Sequence, residues 1–297
     1  MRARIGESIL RLWKESGASS LFVVGTGKNV GKTVAMRAIY GACTEAGITC
    51  ALTSIGRDGE AVDMGDAAPK PRLWLEPSTV VATASSALPH SPASELLSLT
   101  PYQTAAGPLV YARVRAGAFY ELIGPPQASS LRKVVRDLGA LAPRTLVDGA
   151  VDRIAALAGG DDAIVVSCGM AAAQTMSEVI DGARALVLRL RTPRFEGGAV
   201  RRIEGALTPA AVAQLLREGE TRTILVRDPT QIVLGGKAAL HAFERLTIRC
   251  ERPLKVIAAT IASIAGDRTF EPRSFARDVA RATGLPVFDV YAAECAA

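Results

Sequence analysis

The chain is poor in metal-binding side chains. It has two histidines, His90 and His241, and five cysteines, Cys43, Cys50, Cys168, Cys250 and Cys295, no two of which form a C-x-x-C. That set assembles no zinc signature. An odd number of scattered cysteines reads as reduced, mostly buried thiols in a cytoplasmic protein. Uncharged apolar runs of about 18 residues are absent, so no membrane span is expected. Arg2, Arg4, Glu7, Arg11, Lys14 and Glu15 interrupt the opening stretch, so no secretory signal is expected either. The chain also lacks an arginine-rich arm. Its 35 basic residues exceed its 29 acidic ones by six. They are spread out, however, and the densest groups, Arg189/Arg191/Arg194 and Arg201-Arg202, are short. This balance fits small anionic partners and gives no expectation of nucleic-acid binding. With no repeat and no low-complexity linker, residues 1–297 read as a single α/β domain. An N-terminal helix occupies 1–18, and 61–130 is an insert that would face a substrate or a partner.

Hydrophobic residues make up 49% of the chain, enough for a large core. Ile5, Ile9, Leu12 and Trp13 share one helical face. "SLFVV" is a continuous apolar run, as in a strand buried on both sides. A glycine-rich turn and a helix over 32–45 follow, with Gly47 in the C′ position. "ITCALTS" (48–54) is a second strand. This is a βαβ unit, hence a doubly wound, mainly parallel sheet. The stretch 56–108 is proline-rich and reads as an irregular excursion. Residues 109–114 and 118–124 read as a hairpin closed by Arg115-Ala116-Gly117. Residues 129–141 read as a serine-capped helix. Further strands are expected at 144–150, 162–169, 185–190, 221–228, 254–262 and 285–291. Between them, helices are expected at 151–159, 171–183, 208–219 (capped by Thr208, with Pro209 first), 236–245 and 272–283.

The chemistry concentrates at Gly25-Thr26-Gly27-Lys28-Asn29-Val30-Gly31-Lys32-Thr33. A strand runs in and a helix runs out. Gly25 and Gly27 permit positive φ and close backbone approach. Backbone N–H groups from Gly25 to Gly31, beside a helix N-terminus, can face phosphates. In such a loop Lys32 reaches the β- and γ-phosphates and the Thr33 hydroxyl binds Mg²⁺. Gly25, Gly27, Lys28, Asn29, Val30, Gly31, Lys32 and Thr33 are the candidate nucleotide contacts. Asp148 ends the run Leu146-Val147-Asp148-Gly149-Ala150, where ligands of open α/β sheets collect. Asp58, in "TSIGRDGE", is the candidate acid after the second strand, with Glu60 and Asp63 behind it. His90 beside proline reads as a turn residue, His241 as a structural helix residue and Cys168 as a buried thiol. Asp152-Arg153 reads as a local ion pair or a helix start, with Arg153 reaching the site as the alternative.

"GTGKNVGKT" resembles the GTDTxVGKT loop of the dethiobiotin synthetases, a branch of the P-loop NTPases, with Gly27 for Asp and Lys28 for Thr. "LVDGA" resembles that family's LVEGAGG, with Asp148 for the Mg²⁺-holding glutamate. The resemblance implies ATP and Mg²⁺ as cofactors, with Thr33, Asp58 and Asp148 at the metal and Lys32 and Asp58 in catalytic roles. The family ends a late strand in a base-reading asparagine; Ala262 and Ser263 stand there instead. It also carries a carbamate-forming lysine after the second strand, whereas this chain has none before Lys70. Taken together, "GTGKNVGKT", "GRDGE", "YARVRAGAFYELIGPP" and "LVDGAVDR" resemble the reactivase subunits associated with lysine 5,6-aminomutase. That resemblance implies an ATPase serving a cobalamin-dependent partner enzyme, with a homodimer or partner face on the insert. The alternative is a ligase that phosphorylates a small carboxylate or carbamate.

Overall fold

The computed structural model describes residues 2–55, 72–89, 92–149, 154–157 and 161–291. Two compact units emerge, and each comprises two stretches of chain. The first is Met1–Val23 with Lys32–Ala156, and the second is Val24–Gly31 with Leu157–Ala297. The chain passes from one to the other after Val23, after Gly31 and after Ala156. Among the described residues no helix is long and apolar enough to cross a membrane.

The first unit holds β1 (Ser20–Gly25, its last two residues counted with the second unit), β2 (Cys50–Ser54), β3 (Leu73–Leu75), β4 (Val80–Ala84), β5 (Ser94–Thr104), β6 (Gly107–Val114), β7 (Ala118–Tyr120) and β8 (Arg144–Asp148). Its helices are α1 (Arg2–Glu15), α2 (Lys32–Glu45) and α3 (Ala128–Leu141). β1 pairs with β8, β8 with β2 and β2 with β4, all parallel, and β6 and β5 continue antiparallel. All residues of β1, β2 and β4 are buried, as their unbroken apolar and small-residue runs require. β8 lies between β1 and β2, so the βαβ unit skips one strand. α1 packs on α2 through Gly6, where a Cβ would sit 2.0 Å from the Ala38 carbonyl oxygen. Ile9 and Trp13 are fully buried, and the Arg144 guanidinium lies 5.3 Å over the Trp13 ring.

Three expectations for this unit are corrected. The stretch 56–108 is not simply irregular, since it contains β3, β4 and β5. Its Pro101 sits exposed in β5, an edge strand with two register shifts, where a missing N–H is tolerated. The 115–117 hairpin does not form. Arg115 and Ala116 N–H both donate to Ala93 O, at 2.8 and 3.4 Å, and turn the chain aside. β7 then pairs antiparallel with β3, stacking Phe119 edge-on to Trp74 at 5.1 Å. Lastly, α3 begins after Gln127 with no side-chain cap.

The second unit holds β9 (Ala163–Gly169), β10 (Val200–Arg202), β11 (Thr223–Val226), β12 (Ile248–Cys250), β13 (Lys255–Ala262), β14 (Ile264–Ala265), β15 (Arg268–Thr269) and β16 (Val287–Asp289). Its helices are α4 (Met176–Leu190), α5 (Pro209–Arg217), α6 (Gly236–Arg245) and α7 (Pro272–Thr283). β13 is flanked by β9 and β16, all parallel. The strand expected at 221–228 is β11, but it belongs to a separate parallel sheet, β10-β11-β12, with its own apolar core against α5 and α6. The strand expected at 185–190 is helix. Thr175 and Glu178 form a capping box, and Val179, Ala183, Val187 and Leu190 make a buried stripe at helical spacing. "ALVLRL" is a short apolar run whose local pattern fits either state, and the cap upstream decides it. Thr208 caps α5 through the Ala211 N–H, with Pro209 in the first turn, as expected. Of 151–159, only 154–157 are described, and they form a short 3-10 helix.

Candidate functional site

β1 delivers the loop. Gly25 is buried, Gly27 half-buried, Lys28 and Asn29 exposed, and Val30 and Gly31 buried. The positive φ angles fall at Asn29 (56°) and Gly31 (86°), not at Gly25 or Gly27. Asparagine tolerates that region because its short amide can bond locally. Gly27 serves close packing instead, since a Cβ there would lie 3.3 Å from the Ala172 Cβ. A Cβ on Gly31 would meet Val290 Cγ2 at 3.0 Å and Ala262 Cβ at 3.2 Å. Gly169, at the end of β9, would meet Ala262 Cβ at 2.8 Å and Val30 Cα at 3.2 Å. These glycines let the loop pack closely against its neighbours.

The Thr26 N–H donates to Ser167 O at 2.9 Å, so that amide anchors the loop and does not face a ligand. Beneath it the Ser167 and Thr260 hydroxyls hydrogen-bond at 2.8 Å. The Thr26 hydroxyl oxygen is buried and, among the described residues, has no hydrogen-bond partner. So are Ser263 Oγ, at the end of β13, and Asp289 Oδ2, at the end of β16. The other Asp289 oxygen accepts the Tyr291 N–H at 2.8 Å. Sequence reasoning placed Ser263 near this point but missed Thr26 and Asp289, whose burial no local pattern signals.

In the first unit Lys32 and Thr33 open α2, both half-buried. Asp148 ends β8, in register with Val23 on one side and Ser54 on the other. Its side chain is half-buried yet closely surrounded, and burial pushes its carboxyl up to about 6 while the Lys32 ammonium pulls it down. The structure thus brings Lys32 and Asp148 within electrostatic reach. At the end of β2, Ser54 Oγ donates to Leu122 O at 2.8 Å and accepts the Gly124 N–H at 3.1 Å. A Cβ on Gly124 would lie 1.6 Å from Ser54 O, so "LIG" of 122–124 roofs the strand end only as glycine. Asp58, Glu60 and Asp63 lie outside the described residues, as do His90, Asp152 and Arg153. His241 is an exposed residue of α6, and Cys168 is fully buried.

A raised carboxyl titration carries a stability consequence. Asp148 binds its proton more tightly when folded, so the folded chain is penalised as pH rises through about 6 and is relieved below about 4. The gap corresponds to at most about 3 kcal/mol. Asp148→Asn is therefore expected to stabilise the nucleotide-free protein at pH 8 and to change little at pH 4. Urea unfolding at the two pH values checks this.

ATP and Mg²⁺ fit the residues present. The loop offers glycine-seated backbone and a lysine at its exit. Thr33 and Asp148 are hard oxygen donors of the kind that hold Mg²⁺ together with phosphate oxygens. A cation beside Asp148 would add to the countercharge that Lys32 supplies. Among the described residues no three His, Cys, Asp or Glu side chains come together to hold a metal. No protein-family model, curated protein or solved structure matches the chain.

Proposed function

We propose that the chain is an ATP–Mg²⁺-binding P-loop ATPase that acts as an accessory factor on a partner enzyme, with a cobalamin-dependent aminomutase as the expected partner. The observation that carries the nucleotide reading is the loop. A wholly buried strand enters a turn with left-handed Asn29 and Gly31, and the chain leaves it as α2 with Lys32 acting on Asp148. In this reading the Gly27–Gly31 backbone and Lys32 bind the triphosphate and orient its terminal phosphoryl group. Thr33 and Asp148 hold Mg²⁺, which supplies charge neutralisation for phosphoryl transfer. Asp58 positions the attacking water.

The accessory reading draws support from the 61–130 insert. Of the eight large hydrophobic residues exposed among the described ones, Trp74, Leu96, Leu99 and Phe119 lie there. Apolar side chains concentrated on one segment are what a protein partner would cover. Phosphate release from ATP–Mg²⁺ by the purified chain is the test. Slow basal turnover, unchanged by small carboxylates and raised by an aminomutase holoenzyme, supports the accessory role. Turnover that requires bicarbonate or a small carboxylate overturns it in favour of a ligase.

A further inference from the structure

We propose that the groove between α2 and the β3–β7 ribbon binds a small organic cation that carries N–H donors, a guanidinium or primary ammonium compound. The groove lies within the first unit and has a volume of about 470 Å³, in the range of small-molecule sites. α2 contributes Arg37, Tyr40, Gly41 and Glu45. The ribbon contributes Trp74 and Phe119, and Glu76 follows directly after β3. None of these residues lies in the nucleotide loop, and Leu96 and Leu99 of β5 do not line the groove. The inference stands independently of the nucleotide reading.

Two aromatic rings form one wall. In the antiparallel ribbon Trp74 is the register partner of Phe119. Strand alternation turns Leu73, Leu75 and Tyr120 into the core and leaves Trp74 48% and Phe119 56% exposed. The rings meet edge to face, with centroids 5.1 Å apart at 77°. The indole also lies against Gly117, where a Cβ would come within 2.7 Å of Trp74 Cζ2. Its Nε1–H donates to Glu76 Oε1 at 2.9 Å. Tyr40, buried in α2, holds Glu76 in turn. Its hydroxyl oxygen accepts the Glu76 N–H at 2.8 Å and hydrogen-bonds to Thr79 Oγ1 at 2.7 Å. A tryptophan whose ring is already fixed loses little freedom when a ligand settles on it.

The charges around the rings select the ligand. Aromatic faces attract cations. The indole takes Oε1 of the half-buried Glu76, which leaves Oε2 to accept a ligand N–H, and Glu45 adds a second negative charge. Among the described lining residues Arg37 is the one basic side chain. Its guanidinium is tied to Arg72 O, ahead of β3, whereas Glu76 lies beyond the strand's other end. An anion would meet two carboxylates. A neutral apolar molecule would cover Glu76 without replacing the water it displaces. A guanidinium or ammonium meets both demands, with its charge on the rings and an N–H on Glu76. The facing wall has room for it, because a Cβ at Gly41 would meet nothing within 4 Å.

The test titrates the full chain with butylguanidinium and with its neutral isostere butylurea, and reads Trp74 fluorescence. The other of the two tryptophans, Trp13, is fully buried. The expected result is a saturable change with butylguanidinium and at least about 10-fold weaker binding of butylurea. Glu76→Gln keeps an oxygen for the indole and removes the charge, so it should weaken butylguanidinium about 10-fold. Gly41→Leu should fill the groove and abolish the response. It replaces a glycine inside a helix and points into open space, so its Tm should not fall. The two wild-type titrations decide the charge requirement whatever the variants do. Equal binding of the two compounds, no saturation by butylguanidinium at about 10 mM, or wild-type binding by Gly41→Leu overturns the proposal.

Discussion

Lys32→Ala is expected to weaken ATP–Mg²⁺ binding by about 10- to 100-fold, the range of one lost charge-assisted hydrogen bond to phosphate. Hydrolysis should fall further, by roughly 100- to 1,000-fold, because the same ammonium would stabilise charge on the transferred group. The substitution also removes the cation that lowers the Asp148 titration. The Asp148 carboxyl should then move above about 6, and the variant should lose stability relative to wild type at pH 8 but not at pH 4. That pH-selective loss separates a charge effect from general unfolding. Calorimetric titration of nucleotide and thermal melts at the two pH values read both arms.

Gly31→Ala should be the most damaging single methyl in the loop. The residue sits at φ 86°, which disfavours any side chain, and its Cβ would press on Val290 and Ala262 at 3.0 and 3.2 Å. A cost of about 1–3 kcal/mol follows, with a fall of several degrees in Tm. Gly17→Ala is the matched control, because φ there is 72° and nothing lies within 4 Å of an added Cβ. It carries the conformational cost alone, so a larger loss at Gly31 measures the packing of β13 and the Val290 segment on the loop. Nucleotide affinity should fall in Gly31→Ala and stay unchanged in Gly17→Ala.

The parts of this fold that the sequence expressed are those where local and tertiary demands agree. β1, β2, β9 and β13 are continuous apolar runs, and burial on both faces needs that pattern. α5 carries its cap and proline in plain view. Elsewhere long-range pairing decides. β4 is a five-residue run of valine, alanine and threonine inside a proline-rich stretch, and long-range pairing with β2 and β6 makes it a strand. Residues 185–190 pattern like a strand but extend a helix that Thr175 and Glu178 start ten residues earlier. At the loop, the glycine spacing suggested positive φ at Gly25 and Gly27. Positive φ falls at Asn29 and Gly31, while Gly27 and Gly169 are needed for close approach, a property of neighbours remote in sequence.

The central claim is that the Gly25–Thr33 segment binds a nucleoside triphosphate with Mg²⁺. Isothermal titration of the full chain with a non-hydrolysable ATP analogue, with and without Mg²⁺, addresses it directly. The account predicts saturable, Mg²⁺-dependent binding that Lys32→Ala weakens by at least about 10-fold. Absence of binding by the folded wild-type chain to ATP or GTP at millimolar concentration, with Mg²⁺ present, would contradict it.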